Sequence, residues 1–542
     1  MNYLNREWAF NFIFYLCPFY LKQRMLIITD RPSRTDIDFD LFDLKVSFAL
    51  PEKFKAGNKV NQNIAAQYFD LKNPDIDVSK FDLVVIDLRK SFSKNILNYI
   101  SDNILDSSTL VHLEWSDSRN SIWYKFYRNF FLSKNNGKNI SNLKTSSDVP
   151  DTLKLKWLFY IVPGLHKPVH FIRPNFQSNI NTLTKSPLKN WLKKNGGFYL
   201  QKNQTVAIAQ KEYDEKLINP IEELILAICK EKNICSPDYD TVIKRLIISG
   251  SQVLILDITI DGNGYFVRFP LGVSSLGRLK QQHSILKYLS DNNIKIVPKP
   301  IILEKTVPFQ YFIQEKIVGE KNVRILYGKN NQGVDKLYDE AFKKISEIHS
   351  AFGENILIEK ESFTTYVKPM FNLINERLTD YSETKPAIQK IEKYLFNTLQ
   401  GKRLKTSVCH GDFKIENCIY NKDGELQGII DWDMSEQKGL VLVDVASVFT
   451  NSIRLKYYQK LGLAKFMLNF TQVPGELLKS YQDYCTESDM DMPDPMTLVV
   501  YYWIDRIWKL LLYRSFTDKA WLEANIFPVL NRIDYFIDQP NN

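Results

Sequence analysis

Between Ser407 and Ser435 the chain reads SVCHGDFKIENCIYNKDGELQGIIDWDMS, and no other stretch constrains the fold as much. A His-Gly-Asp triplet, Asn417 and an Asp-Trp-Asp triplet stand close together in it, with Lys414 among them. The apolar runs around these residues have the length of short strands, so the acids fall on the connecting loops. Carboxylates crowded in this way repel one another unless positive charge is supplied.

A bound magnesium-nucleotide supplies that charge. Phosphoryl transfer to a hydroxyl needs a carboxylate to orient the hydroxyl and accept its proton. It also needs oxygen ligands for magnesium and a cation near the transferring group. The stretch offers these in order. Asp412 is the candidate base. Asn417, on the same loop, and Asp431, at the end of the LQGII strand, are hard oxygen donors suited to magnesium. Lys414, two residues after Asp412, can reach the γ-phosphate or the leaving region. His410 is expected to brace the loop, because base duty falls to Asp412. Asp433 is either a second metal ligand or a surface acid.

The rest of the chain is organised around this centre. Its 542 residues exceed one ordinary core, and two to four domains are expected at roughly 100–200 residues each. From Met25, strand-like runs (25–30, 82–88, 108–115) alternate with helix-compatible stretches, which predicts an α/β layer with a partly parallel sheet. The segment 196–211 reads as two strands that close it. A Rossmann nucleotide site needs glycines after its first strand. Here IITDRPSRTD follows, and only Gly57 and Gly137 precede Gly164. The arrangement resembles a degenerate methyltransferase-like domain that lacks its binding loop, so a structural or docking role is expected of it.

The segment 212–223 reads as a polar connection. Three antiparallel strands follow in 242–272, with turns at Gly250-Ser251 and at Asp261 to Gly264. Residues 276–293 carry a helical period, and 308–320 reads as a further strand. Beyond about residue 330 the pattern is mainly helical. The apolar run 497–516 contains Asp505, Arg506 and Lys509, which predicts a buried core helix rather than a membrane span.

With these elements placed, HGDFKIEN followed by GIIDWD resembles the catalytic and metal-binding loops of the aminoglycoside phosphotransferase and choline kinase group, which has the protein-kinase-like fold. The resemblance covers roughly 220–515 and is densest at 407–450. It implies that Asp412 is the catalytic base and that Asn417 and Asp431 bind magnesium. Lys414 is closer to the protein-kinase pattern than is usual in the group. SEIHS (346–350) and LVDVAS (442–447) resemble flanking segments of the family, with Asp444 in a structural role and His349 as a packing residue. The small lobe departs from the family. Arg268 stands where a strand Lys is expected to hold the α- and β-phosphates, and Gln282 stands where its helix Glu partner is expected. The hinge, Gln314, Glu315, Lys316 and Ile317, is expected to bond a purine base through its backbone.

The expected architecture is therefore an α/β Rossmann-like N-terminal domain followed by an α+β protein-kinase-like bilobal domain. Its parts are an apolar extension (1–24), the α/β domain (25–215), a small lobe (216–325) and a helical large lobe (326–542). The expected function is transfer of the γ-phosphate of ATP (or GTP), with Mg2+, to a hydroxyl of a small molecule, a sugar or polysaccharide precursor being one candidate. The alternative is an inactive pseudokinase that scaffolds through bound nucleotide. A net charge of +9 with no aromatic-interleaved basic run argues against nucleic-acid binding. Six scattered cysteines without a CxxC pair argue against zinc and against a secreted disulfide scaffold, and a cytoplasmic location is expected. Residues 8–21 are apolar but short for a span, which fits a packing or interfacial helix with peripheral membrane contact as the second choice.

Overall fold

Met25 to Ile28 and Leu83 to Ile86 are unbroken apolar runs, and such runs suit strands covered on both faces. In the structure, a computed structural model, they form two central strands of a sheet. The structure describes residues 24–30, 45–55, 65–70, 74–88, 96, 98–100, 102–104, 109–116, 154–161, 167–168, 170–172, 203–210, 225, 228–229, 241–248, 253–306, 309–320, 334–457, 463–467, 470, 475–512, 522–523 and 525–533. Residues 8–21, 196–202, 212–223 and the Gly250-Ser251 turn lie outside them. The chain divides into two units, Met1–Leu276 with Ile301–Gln314, and Gly277–Pro300 with Glu315–Asn542.

The first unit holds two sheets. Its strands in chain order are β1 (Arg24–Thr29), β2 (Lys45–Pro51), β3 (Ala66–Phe69), β4 (Leu83–Asp87), β5 (Thr109–Ser116), β6 (Lys154–Ile161), β7 (Lys167–Pro168), β8 (His170–Ile172) and β9 (Asn203–Gln210). The larger sheet has the order β3-β2-β1-β4-β5-β9-β6-β8. β1 to β5 are parallel, with Ile27 opposite both Phe48 and Val85. β9 lies antiparallel between β5 and β6. Of the strand pair expected in 196–211, the described part is thus one strand. Leu26, Ile28, Val84 and Ile86 alternate along their strands and share one face. They pack against Ile96, Ile100 and Ile104, whose spacing of four is helical.

The second sheet uses β10 (Thr241–Ile248), β11 (Val253–Ile260), β12 (Asn263–Pro270), β13 (Pro300–Thr306) and β14 (Phe309–Glu315), in the order β13-β14-β12-β11-β10-β7. β10, β11 and β12 are the three antiparallel strands expected from the sequence. The β11–β12 turn is tighter than expected. Asp261 and Gly262 alone form it, both at positive φ (48° and 82°), and Asn263 already pairs with Ile260. Two-residue turns of this hand match the twist of the flanking strands.

The second unit is mainly helical. Its elements are α1 (Val273–Asp291, which starts in the first unit), α2 (Val334–Phe352), β15 (Glu354–Leu357), α3 (Lys360–Tyr366), α4 (Lys368–Arg377), α5 (Lys385–Leu399), β16 (Arg403–Cys409), β17 (Cys418–Tyr420), β18 (Leu426–Ile429), β19 (Glu436–Leu440), α6 (Leu442–Tyr457), α7 (Leu463–Met467), α8 (Gly475–Glu487) and α9 (Pro495–Leu512). A prolyl residue in the first turn starts α4 and α5, where its missing N–H costs nothing. Asp494 caps α9 by accepting from the Thr497 N–H at 3.0 Å. As the sequence predicts, α9 is buried nearly all round, Asp505 and Lys509 included. Among the described residues no helix is long and apolar enough to cross a membrane.

Candidate active site

β16 is buried from Leu404 onward and delivers the chain to His410 and Gly411. Gly411 has φ +78°, and a Cβ there would fall on the Met434 carbonyl and lie 2.8 Å from Lys509 Nζ, so only glycine fits this turn. Asp444 on α6 holds the turn from below. Its carboxylate accepts the N–H of His410 and of Gly411, each at 2.7 Å. It also meets His349 Nε2 at 3.2 Å, while Tyr484 meets His349 Nδ1 at 2.7 Å. Burial pushes the Asp444 carboxyl up, but the His349 hydrogen bond and nearby charge outweigh it, and the group stays below its usual range. His349, Cys409 and Asp444 place one metal-ligand atom each within 4.8 Å of one another. The bonds just given engage both Asp444 oxygens and both His349 nitrogens, so the cluster is an anchor.

His410 is buried and braces the turn from the other side. Its Nδ1 accepts the Asp412 N–H at 3.2 Å and its Nε2 donates to the Ile430 carbonyl at 2.8 Å. Burial lowers its pKa, so the ring is neutral. Ile430 in turn donates its N–H to the Asn417 carbonyl at 2.8 Å. One residue therefore stitches the 410–417 loop to the 431–435 loop, and Asp431 follows it directly. Trp432 locks that second loop, donating from Nε1 to the Ile429 carbonyl at 2.8 Å.

Asp412 is 7% exposed and each of its oxygens faces a cation. Lys414 Nζ lies 2.7 Å from Oδ2 and Arg506 Nη1 lies 3.1 Å from Oδ1. Burial works to raise the Asp412 carboxyl, but Arg506 and then Lys414 overcome it and hold the group below the usual carboxylate range. Burial likewise works to lower Lys414, and Asp412 overcomes it in the upward direction. Asn417 donates Nδ2 to the Asp412 carbonyl at 2.9 Å, which fixes its amide and turns its oxygen to other partners. Asp431 sits at φ +72°, a left-handed conformation that Asp tolerates better than most residues. Among the described residues no Lys or Arg pairs with its carboxylate, whereas Asp433 lies 3.9 Å from Arg278. The donor set of Asn417 and Asp431, hard oxygens with one carboxylate unneutralised, fits a small hard cation.

The structure thus brings Asp412, Lys414, Asn417 and Asp431 into one pair of loops. Of the expected nucleotide residues, Arg268 on β12 and Gln314 on β14 belong to the first unit, and both are buried. Glu315, Lys316 and Ile317 open the second stretch of the other unit. The Glu315 N–H donates to the Lys299 carbonyl at 2.9 Å, so that hinge donor is already engaged. Ile317 packs on Gly428, where any Cβ would collide with it. Gln282 is fully buried on α1, and its neighbour Gln281 donates to the Ser435 carbonyl at 2.5 Å.

Arg506 is the site residue that the motif did not reveal. Its signal was present as three charges, Asp505, Arg506 and Lys509, inside an otherwise apolar helix. Lys509 is buried and contacts Asp505 (2.9 Å), Glu436 (3.1 Å) and the Gly411 carbonyl (3.3 Å). Burial pushes the Asp505 carboxyl up to about 6, with Lys509 opposing.

Residues 251–464 match the phosphotransferase enzyme family. No curated protein matches the chain. Solved structures similar to the chain include an aminoglycoside-3'-phosphotransferase of type VIII, at 14% identity and TM-score 0.34 over 53% of this chain and 98% of that one. Another is aminoglycoside phosphotransferase APH(3'')-Id from Streptomyces rimosus ATCC10970, solved with ADP and streptomycin, at 11% identity and TM-score 0.33 over 54% of this chain and 99% of that one.

Proposed function

We propose that the chain is an ATP- and magnesium-dependent phosphotransferase that phosphorylates a hydroxyl of a small molecule. The observation that carries this reading is the Ile430 stitch. It sets Asp412, Asn417 and Asp431 on two adjoining loops, the parts a phosphoryl transfer needs. Asp412 orients the acceptor hydroxyl and takes its proton as the acceptor oxygen bonds to the γ-phosphorus and the bond to the bridging oxygen of ADP breaks. Asn417 and Asp431 would hold magnesium. When bound, the ion offsets charge on the triphosphate. Lys414 keeps the Asp412 carboxylate ionised and aimed. A depressed carboxyl suits this role, because phosphoryl transfer relies on positioning more than on basicity. Arg268 is the proposed phosphate contact of the first unit, and Gln314 to Ile317 the proposed purine hinge, with the Glu315 N–H excepted. GTP is the alternative donor.

The strand order β3-β2-β1-β4-β5 supports a Rossmann-like reading of the first sheet. With no glycine in the residues that follow β1, we propose docking or structural work for it rather than methyl transfer.

Gln282, buried where an ion-pairing Glu is expected, favours a second reading, a nucleotide-binding scaffold without turnover. Assay of ADP release in the presence of small hydroxyl acceptors separates the two. Asp412→Asn is expected to lower transfer by about 10²–10⁴-fold with ATP affinity kept. Equal turnover by wild type and variant would remove Asp412 from the base role.

A further inference from the structure

Asp433 stands two residues beyond Asp431 and carries the same charge, so it is the obvious second carboxylate for a divalent cation. The structure gives it other work. Its Oδ2 lies 3.9 Å from Arg278 Nη1, and the two side chains are 15% and 5% exposed. The charge of Asp433 also reaches Arg506 on α9. Burial works to lower the Arg506 pKa, and Asp412 above all, with Asp433 among the lesser contributors, turns it upward. A carboxylate between two guanidinium groups has its charge matched, and a metal ion entering there meets like charge from both. Asp431 has no such guard among the described residues.

Arg278 also belongs to a larger clamp. It shares a face of α1 with Gln281, three residues on, whose Nε2 donates to the Ser435 carbonyl at 2.5 Å. The segment after α1 joins in, because the Ile296 carbonyl accepts the Ile429 N–H at 2.7 Å. The stretch 429–435 is thus gripped at its start, at Asp433 and at its end, by residues that all lie in the second unit. Such a grip has a purpose. Asp431 sits at φ +72°, and a left-handed residue persists only where its surroundings over-determine it. Inside the stretch, Trp432 bonds the Ile429 carbonyl and Ser435 Oγ bonds the Trp432 carbonyl at 2.6 Å. The contacts of Arg278, Gln281 and Ile296 supply the hold from outside. Gln282, buried on the same helix, brings no charge to it.

We infer that Arg278 is a positioning residue of the proposed magnesium site: it grips Asp433 and, with Gln281, holds the 431–435 loop so that Asp431 alone of the two acids meets the cation. The inference rests on the phosphotransferase reading and makes Asp433 a strut of that site in place of a second metal ligand.

The test titrates ATP into the full chain by calorimetry, with and without magnesium. It compares the wild type with Arg278→Met, Arg278→Lys, Asp433→Asn and the double variant of Arg278→Met with Asp433→Asn. Arg278→Met and Asp433→Asn are each expected to weaken magnesium-dependent binding at least threefold and to leave the affinity measured without magnesium within twofold. The double variant is expected to bind no more weakly than the weaker single one, as two ends of one contact do. Arg278→Lys is expected to recover part of the loss. Deleting the Arg278 charge would by itself draw a cation in. Tighter magnesium-dependent binding in Arg278→Met, reversed by Asp433→Asn, therefore overturns the proposal and makes Asp433 a ligand that Arg278 masks. A loss below threefold in either single variant overturns it. So do losses that multiply in the double variant, or that are equally large without magnesium, because the residues then act apart or serve only the fold. If Arg278→Met fails to fold, Arg278→Gln takes its place under the same criteria. Absence of magnesium-dependent ATP binding in the wild type overturns the phosphotransferase reading itself, and this proposal with it.

Discussion

At the scale of single residues, Asp412 is governed by a contest. Burial favours the protonated carboxyl, and Arg506 and Lys414 favour the charged one and win. A carboxyl held below its unfolded value adds stability above the ordinary carboxylate range and loses it as pH falls through the folded value. The acidic limb of kcat/KM is therefore expected to lie below that of an ordinary carboxylate. Arg506→Met is expected to move it to higher pH, which a pH–rate profile of both proteins checks; an unmoved limb would detach Arg506 from the base. Lys509 is governed differently. It is the cation shared by Asp505 and Glu436 in a site almost closed to water. Lys509→Met strands those acids and is expected to cost about 3–5 kcal/mol, read as a lowered denaturation midpoint. A change below 1 kcal/mol would show that the cluster contributes little.

At the scale of elements, the loop that carries Asp412 is a turn clamped from two sides. α6 clamps it through Asp444 on two backbone N–H groups, and the end of β18 clamps it through Ile430. Asp444→Ala leaves the N–H groups of His410 and Gly411 buried without that acceptor, at about 1–3 kcal/mol each. Its thermal midpoint and its kcat are both expected to fall; an unchanged kcat would mean that the turn is held without Asp444. Gly411→Ala is expected to do as much, since it places a Cβ on the Met434 carbonyl. The two loops, β10 to β12 and the burial of α9 were legible in the sequence because their signals are local: a spaced motif, a turn dipeptide, an apolar period. Arg506 was not. It reaches Asp412 across a separation of more than ninety residues, and its charge, seen alone, argued only against a membrane span. The engagement of the Glu315 N–H by Lys299 escaped for the same reason, since backbone partners outside a strand leave no pattern in residue type.

At the scale of the whole molecule, alternation of apolar runs predicted a partly parallel first sheet but not its strand order. The antiparallel seating of β9 between β5 and β6 is decided by tertiary pairing, which period alone does not encode. Calorimetry with S-adenosylmethionine is expected to give no heat, and a saturable signal would restore methyl transfer to that unit. The central claim concerns the other chemistry. A ligand that binds only the folded chain stabilises it by about 2.7 kcal/mol at a hundredfold excess over Kd, so magnesium-ATP is also expected to raise the midpoint of the full chain. The most direct measurement is a calorimetric titration of the full chain with ATP, with and without magnesium, for the wild type and for Asp431→Asn, a substitution that keeps a residue tolerant of φ +72°. Magnesium-dependent binding, weakened at least tenfold in the variant, is the predicted result. No binding, or binding indifferent both to magnesium and to Asp431, would contradict the account.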